Sequence, residues 1–289
     1  MDPRVAACLD DLRSGEEDRC ERALEALDAL GAEAVPDLLD LVRDADERVR
    51  AAAVAGVARH GDGAPATVRA VLRGAQAALR AFEDPAAAAE VHEAVLALSE
   101  PIEALVPVLL ADAAGPDAEA RLAAARDLET VTHYCGTAGA EEEALVGALV
   151  ASLGDFEGRV RWWAAGALGN LALDPARSVP SLVRSLDDPE PVVRGAAVDA
   201  LERFGPAAGP AIPALLPLLD AAEPEVAARA VLVVARVGSR TEGVHSRIAE
   251  RVGSPEPRVR AAACAALGEI GHATAETRRA IAAALRDPD

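Results

Sequence analysis

Lysine is absent from this chain of 289 residues, so all 29 basic residues are arginine, and they face 48 acids. The resulting net charge of −19 argues against the broadly positive surface that nucleic-acid phosphates require. Together with a single Asn and a single Gln, it is typical of a high-GC genome and a salt-loving cytoplasm, and we expect a halophilic archaeal source. At molar salt the Debye length is roughly 3 Å, which lets surface carboxylates crowd together. The alternative is an acidic site for a basic ligand.

Aromatic side chains are scarce, at 2% of residues against 51% hydrophobic residues overall. A core of large interlocking rings is therefore excluded. The interior has to be built from Ala, Leu and Val packed closely between helices. Alanine also has the highest intrinsic helix propensity, so the same composition predicts an all-helical chain.

Signals for export, membrane insertion or structural zinc are missing. The N-terminus, Met1-Asp2-Pro3, has no basic and apolar leader, and no run of about 18 apolar residues occurs. The four cysteines, at positions 8, 20, 135 and 264, form no C-x-x-C pair, which indicates reduced and mostly buried thiols. We expect a cytoplasmic protein that contacts no membrane.

Catalytic and metal-binding motifs are also missing. No G-x-S-x-G sequence and no glycine-rich phosphate loop after a strand occurs. His92-Glu93 is a single His-Glu pair, whereas hydroxylases built from helical repeats need several. The other histidines lie near predicted helix ends, where they more often cap carbonyls: His60, His133, His245 and His272. The sequence predicts no catalytic residue, no metal site and no cofactor.

A repeat of 33 residues is what the chain does contain. Its glycine positions are Gly205, Gly238 and Gly271, and its proline positions are Pro191, Pro224 and Pro257. Apolar residues at helical spacing on both sides of an acidic turn predict two helices in each unit. Such repeats stack into a solenoid, which offers an extended binding surface and seldom an enclosed catalytic pocket.

The acidic turn predicts how the second helix of each unit begins and ends. In Asp188-Pro189-Glu190, we expect Asp188 to be the N-cap, Pro189 to occupy the first helical position and Glu190 to face the positive end of the helix dipole. The three repeated glycines are expected to adopt the left-handed conformation just after that helix.

The acidic turn is followed by Val-Arg and an alanine-rich helix, as in Arg48-Val49-Arg50 and Arg258-Val259-Arg260. In this the chain resembles the HEAT-repeat family, most closely the HEAT-like branch first described in phycobilisome lyases. The resemblance implies an all-α, right-handed α-solenoid of about eight helix pairs plus a terminal helix, a single domain over residues 1–289, and a monomer. It is weakest in residues 64–99 and in 207–238, where Ala227 replaces the arginine.

The repeated arginine lies close to the core side of its helix, which favours a structural role. We expect it to pair with acids of its own turn or of the next unit, as an inter-repeat ladder. The predicted members are Arg50, Arg161, Arg194 and Arg260 with Asp155 and Asp188, and Asp44 is a further candidate.

Positions one, five and nine after the repeated arginine point away from the core and position two lies on the flank, and in related solenoids the second helix lines the concave side. Both tryptophans, Trp162 and Trp163, occupy two of these positions in the middle unit, where most other units have small residues. The polar residues expected around them are Asn170, Arg126, Arg203, Arg229 and Arg236. An aromatic pair among arginines is typical of an interaction hot spot. The alternative is that one or both tryptophans fill a packing gap.

These observations favour a non-enzymatic scaffold or adaptor. Its partner is expected to be a protein or peptide with apolar and acidic groups. One alternative is a HEAT-like nucleic-acid-binding or base-repair protein, in which Trp162, Trp163, Asp199 and Arg203 would take part, although the acidity of the chain opposes it. A second alternative is a protein related to chromophore lyases, which rests on the family resemblance alone.

Overall fold

A computed structural model describes residues 1–42, 44–79, 85–137, 142–238, 241 and 243–270 of the chain. Every regular element within these ranges is helical, which confirms the predicted all-α fold. The described residues form two compact units. The first contains residues 1–112 and 130–137, and the second contains residues 113–129 and 142–270.

The first unit is built around the helix that carries Val49-Arg50. Its helices are α1 (Pro3–Ser14), α2 (Glu17–Leu30), α3 (Val35–Leu41), α4 (Glu47–His60), α5 (Pro65–Leu79), α6 (Pro85–Ala97) and α7 (Ser99–Ala113). Helix α4 packs against α1, α3, α5 and α6. Small and β-branched side chains make this close approach possible, since Val49, Ala53, Val54 and Val57 of α4 are all buried.

The second unit repeats one pairing of helices. Helix α8 (Ala118–Cys135) belongs to it up to Glu129. The others are α9 (Glu142–Ser152), α10 (Gly158–Leu171), α11 (Pro175–Ser185), α12 (Pro191–Arg203), α13 (Ile212–Leu215, between 3₁₀ turns at 205–211 and 216–220), α14 (Pro224–Gly238), α15 (Val244–Arg251) and α16 (Pro257–Ile270). The second helices of successive pairs pack in the order α10, α12, α14 and α16.

The described residues contain 16 α-helices, seven assigned to the first unit and nine to the second, against the about eight helix pairs that the repeat pattern predicts. The expected terminal helix falls in residues 271–289, outside the described residues. The right-handed twist and the single domain over residues 1–289 stay predictions. The core is aliphatic, as composition predicts: the largest fully buried side chains in the described chain are leucines and one isoleucine.

The predicted start of the second helix is wrong by two residues. Helix α12 begins at Pro191, and its N-cap is Glu190, whose side chain accepts no capping hydrogen bond. The Asp188 carboxylate accepts instead from the backbone N–H of Glu190, at 2.9 Å, and so closes the turn that precedes the helix. The proline at the first helical position is therefore the 33-residue repeat proline itself.

The repeated glycines do not share one role. Gly205 has φ of +54°, which fits the left-handed conformation expected after α12. Gly238 is different, because it is the last residue of α14 and has no positive φ. A Cβ at Gly238 would lie 2.7 Å from Cδ1 of Ile212, so this glycine permits close packing. Gly271 lies outside the described residues.

Among the described helices, none is long and apolar enough to cross a bilayer by itself. Residues Ala87–Ala97 and Ser99–Ala113 reach that length and composition only together, as two helices bent by 73°.

Candidate functional site

A guanidinium group caps the turn before the second helix wherever the repeated arginine is present in the described chain. In each case Nη1 donates to one or both carbonyls that lie five and six residues earlier. The pairs are Arg50 with Asp44 (2.7 Å), Arg121 with Gly115 and Pro116 (3.2 and 2.9 Å), Arg161 with Asp155 and Phe156 (2.9 and 3.1 Å), Arg194 with Asp188 and Pro189 (2.7 and 3.2 Å), and Arg260 with Ser254 and Pro255 (3.1 and 2.9 Å). The arginine thus satisfies carbonyls that the helix cannot reach.

The remaining nitrogens of three of these arginines reach an acid in the turn of the next repeat. Arg121 Nε lies 2.7 Å from Asp155, and Arg194 Nη2 lies 2.7 Å from Glu223. Arg161 forms a bidentate pair with Asp188, at 2.7 and 2.9 Å. For Arg50 and Arg260 the next turn falls in residues 80–84 and 271–289, outside the described residues. The three pairs form a ladder that joins successive repeats of the second unit.

The acids of the ladder are held from two sides. Asp155 and Asp188 each accept from the backbone N–H two residues later, at 2.9 Å, as well as from the arginine of the preceding repeat. Burial acts to raise the pKa of Asp188, but hydrogen bonds from Arg161 and from the backbone of Glu190 outweigh it, so the pKa lies below its ordinary value. The Asp188 carboxylate in turn raises the pKa of Arg161.

Arg121 is a ladder member that the sequence prediction did not include. Its guanidinium is buried, and it also stacks over the ring of the exposed Phe156, with 4.8 Å from Cζ to the ring centroid. The residue before Arg121 is alanine, whereas valine precedes Arg50, Arg161 and Arg260. The alanine-rich helix that follows it was the signal that could have identified it.

The two tryptophans have different environments. Trp163 is 7% exposed and packs in a cluster with Ala125 and Val160. Trp162 is half-buried and packs on the edge of that cluster beside Leu122. The two rings are tilted by 58°, with centroids 4.2 Å apart. Trp163 therefore fills the packing role of the alternative prediction, and Trp162 is the more exposed of the two.

Trp162 belongs to a row of residues, one from each second helix of the second unit, that directly follow the ladder position or its equivalent. The row is Leu122, Trp162, Gly195, Ala228 and Ala261, which we call the second-helix face. Apart from Leu122 and Trp162 its members are glycine or alanine. The large apolar side chains of this face are thus concentrated on α8 and α10.

The arginines predicted to surround the tryptophans already donate within the chain, so they are not the free donors that the sequence predicted. Arg203 donates to Asn170 Oδ1, and Asn170 Nδ2 donates to the carbonyl of Glu129 at 3.1 Å. Arg229 pairs with Asp199, and Arg236 pairs with Glu202 and Glu269. Arg126 lies 3.3 Å from the adjacent Asp127. Most of these contacts link neighbouring second helices, so they form a second, more exposed row of hydrogen bonds and ion pairs.

Reactive and metal-binding groups are scattered in the described part of the chain. It contains no cluster of three or more His, Cys, Asp or Glu side chains able to hold a metal ion. Burial raises the pKa of the thiols of Cys8 and Cys135, which disfavours the reactive thiolate. His60 lies 2.8 Å from the Asp28 carboxylate instead of capping a carbonyl, and His272 lies outside the described residues.

Comparison with known proteins gives one family and a fold. The sequence profile of HEAT repeats matches residues 102–202 and 212–289. An engineered protein of known structure is similar over 98% of this chain and 82% of its own, with 24% identity and a TM-score of 0.52. The karyopherin Kap121p bound to the SUMO protease Ulp1p is similar with 13% identity and a TM-score of 0.60, and Kap121p bound to Nup53p with 12% and 0.57.

This chain is matched over 97% of its length by Kap121p but spans only 34% of the karyopherin. No curated protein matches the chain by sequence. These structural similarities concern the fold alone, because all the identities are below 25%.

Proposed function

The chain belongs to the HEAT-repeat family, and on that premise we propose that it is a non-enzymatic scaffold that binds a protein partner on its second-helix face. The observation that carries the proposal is Trp162, a half-buried aromatic ring beside Leu122 on a row of otherwise small residues. Partly exposed tryptophans on a rigid helix are the usual anchors of protein interfaces, because they supply a large apolar area at little entropic cost.

The support under Trp162 favours an anchor over a mobile surface residue. Its ring rests on Trp163, which is itself fixed by Ala125 and Val160. A partner side chain that covers Trp162 would therefore meet a preorganised ring, and little conformational freedom would be lost on binding.

The chemistry of the partner follows from the surrounding charges. Arg203, Arg229 and Arg236 are each engaged by an oxygen of this chain, so the rim carries both signs of charge. We therefore propose a partner that inserts an apolar or aromatic side chain and meets the rim with mixed polar groups, in place of the apolar and acidic groups that the sequence predicts. The karyopherin Kap121p, which is similar in fold, is seen with protein partners, which supports this class of function.

Neither alternative function gains support. A nucleic-acid-binding groove needs free cations for phosphates, whereas Arg229 and Arg236 beside this face are paired with acids and the chain has a net charge of −19. No described residue suggests a role in chromophore attachment. The excess of acids instead supports a protein that works at high salt, so binding is best measured in molar salt.

The test is a pull-down from a native lysate with the wild-type chain, Trp162→Ala and the control Val108→Ala. Val108 is 45% exposed and lies on α7, in the first unit, so it is not part of the second-helix face. We expect the wild type and the control to recover the same defined set of proteins, and we expect nuclease treatment of the lysate to leave that set unchanged. Trp162→Ala should weaken their binding by about 2 kcal/mol, or roughly thirtyfold, while the variant keeps its helical circular dichroism.

Fluorescence tests the exposure of the anchor independently. Trp163→Phe leaves Trp162 as the reporter, and Trp162→Phe leaves Trp163. Acrylamide should quench the first variant more than the second, and the bound partner should protect Trp162 from quenching. Equal resistance of both indoles to quenching, or equal retention of partners by Trp162→Ala, would contradict the proposal.

A further inference from the structure

We propose a second binding site, for a guanidinium group, in the turn where the ladder arginine is missing. The position is Ala227 of α14, which stands where Arg194 and Arg260 stand in the neighbouring repeats, 33 residues away on each side. A cavity of about 300 Å³ adjoins Ala227 and is lined by Ala221, Ser254 and Glu256 among others. A water takes up about 30 Å³ in the liquid, so the cavity has room for a planar guanidinium group.

The neighbouring repeats show what this site binds. At Arg161 and Arg194 a guanidinium donates to the carbonyls five and six residues earlier and to an acid of the next turn. The equivalent carbonyls before position 227 belong to Ala221 and Ala222. In the described chain no side chain donates to either of them.

The equivalent acid is present as well. Arg194 binds Glu223, which lies four residues before position 227, and Glu256 lies four residues before Arg260. Glu256 lines the cavity and is exposed, and it has no cation partner among the described residues. Ala221 and Glu256 thus line the cavity where the two partners of a ladder arginine would lie, but the side chain that would supply the guanidinium is missing.

The other charged groups of the cavity leave an excess of negative charge. Its lining contains Asp220, Glu250, Arg251 and Glu256. Asp220 pairs with Arg251 and, at 2.8 Å, with Arg247, and Glu250 lies 3.4 Å from Arg251 and 3.7 Å from Arg247. Among the described residues Glu256 is therefore the lining carboxylate without a cation, which favours a further cation, and binding of carbonyls together with a carboxylate favours guanidinium over ammonium.

The ligand we assign is an arginine side chain of another polypeptide. Free arginine has the same chemistry, and the test separates these two sources. The site does not rest on Trp162, so it can exist whether or not the second-helix face binds a protein.

The test is titration of the full chain with N-acetyl-Gly-Arg-Gly-amide. Binding is monitored through the NMR chemical shifts of the backbone amides around residues 220–227 and 253–259. Its citrulline counterpart, which is neutral and nearly isosteric, and its lysine counterpart are the ligand controls. We expect binding of the arginine peptide, with the citrulline and lysine peptides weaker by roughly tenfold, as loss of a charge-assisted hydrogen bond predicts. Stronger binding of the peptide than of L-arginine amide assigns the site to a polypeptide, and equal binding assigns it to the small molecule.

Two variants locate the site. Ala227→Arg fills the cavity with a guanidinium of the chain itself and should abolish peptide binding. Ala228→Arg adds the same charge at the next residue, on the second-helix face, and should leave most of the peptide affinity. Glu256→Gln should weaken binding roughly tenfold without disturbing the core, because Glu256 is exposed. No saturable shift at these amides, or equal binding by wild type, Ala227→Arg and Glu256→Gln, would overturn the proposal.

Discussion

The turns before α10 and before α14 are built from the same repeat but are held in different ways. Before α10, Arg161 caps the carbonyls of Asp155 and Phe156 and also pairs with Asp188 of the following turn. Before α14, Ala227 replaces that arginine and a cavity adjoins it. There the next repeat is tied by α15, whose Arg247 lies 2.8 Å from Asp220.

The difference separates two tasks that the ladder arginine normally combines. One is to satisfy carbonyls of its own turn, and the other is to join that turn to the next repeat. Before α14 other residues perform only the second task. Arg247 and Arg251 bind the carboxylate of Asp220, but neither donates to the turn carbonyls. The junction between repeats is therefore more robust to substitution than the turn itself.

The largest effect should come from removing the complete junction, with Arg161→Ala. The side chains of Arg161 and Asp188 are only 11% and 7% exposed, so the variant leaves a buried carboxylate without its cation. We expect the free energy of unfolding to fall by about 3 kcal/mol, measured by urea denaturation.

Arg159→Ala is the matched control for Arg161→Ala, since Arg159 is an exposed arginine of the same helix turn. It should change stability by less than about 0.5 kcal/mol. If the two variants were equally stable, the ladder would not be a structural device, and a role for Arg161 in binding would have to be considered.

A smaller effect, about 2 kcal/mol at neutral pH, should separate wild type from Asp188→Asn, and it should depend on pH. The pKa of Asp188 in the folded chain lies below its ordinary value of 3.8, so the carboxylate stabilises the fold fully above that value. As pH falls through the folded pKa, this contribution is lost. The difference in unfolding free energy between wild type and Asp188→Asn should therefore shrink below about pH 4.

The exposed neighbour Asp187 provides the control for this pH dependence, because it lies outside the ladder. Asp187→Asn should track the wild type at every pH. A difference between wild type and Asp188→Asn that stays constant down to pH 2 would mean that the Asp188 charge contributes nothing to the fold.

Sequence periodicity was sufficient to predict the helix pairs, because a 33-residue step and the apolar spacing are local properties. The chemical partners of side chains were harder to predict. The start of α12 was misplaced because both Asp188 and Glu190 are plausible N-caps, and only the backbone shows that Asp188 closes the preceding turn. The role of Gly238 depends on Ile212, a contact that no local pattern records.

The tryptophan site shows the same limit. Positions on a helix predict which way Trp162 and Trp163 lean, but not how deeply the neighbouring helix covers each ring. Helical position alone predicts that the surrounding arginines are available, because it carries no information on acids of the neighbouring helix. Their acids come largely from the next repeat, as in Arg236 with Glu269, so the pairing depends on how helices are placed side by side.

The smallest effect should come from restoring the missing junction, with Ala227→Arg. Its guanidinium would reach the carbonyls of Ala221 and Ala222 and the carboxylate of Glu256, as Arg194 reaches its own turn and Glu223. Because Arg251 already ties the repeats together, and because burying an ion pair carries a desolvation cost, we expect a gain of only about 1 kcal/mol in unfolding free energy. Ala228→Arg should give no such gain. Adding Glu256→Gln to Ala227→Arg should remove most of it, whereas a loss of stability in Ala227→Arg would mean that the turn before α14 has diverged too far from the others to accept the ladder.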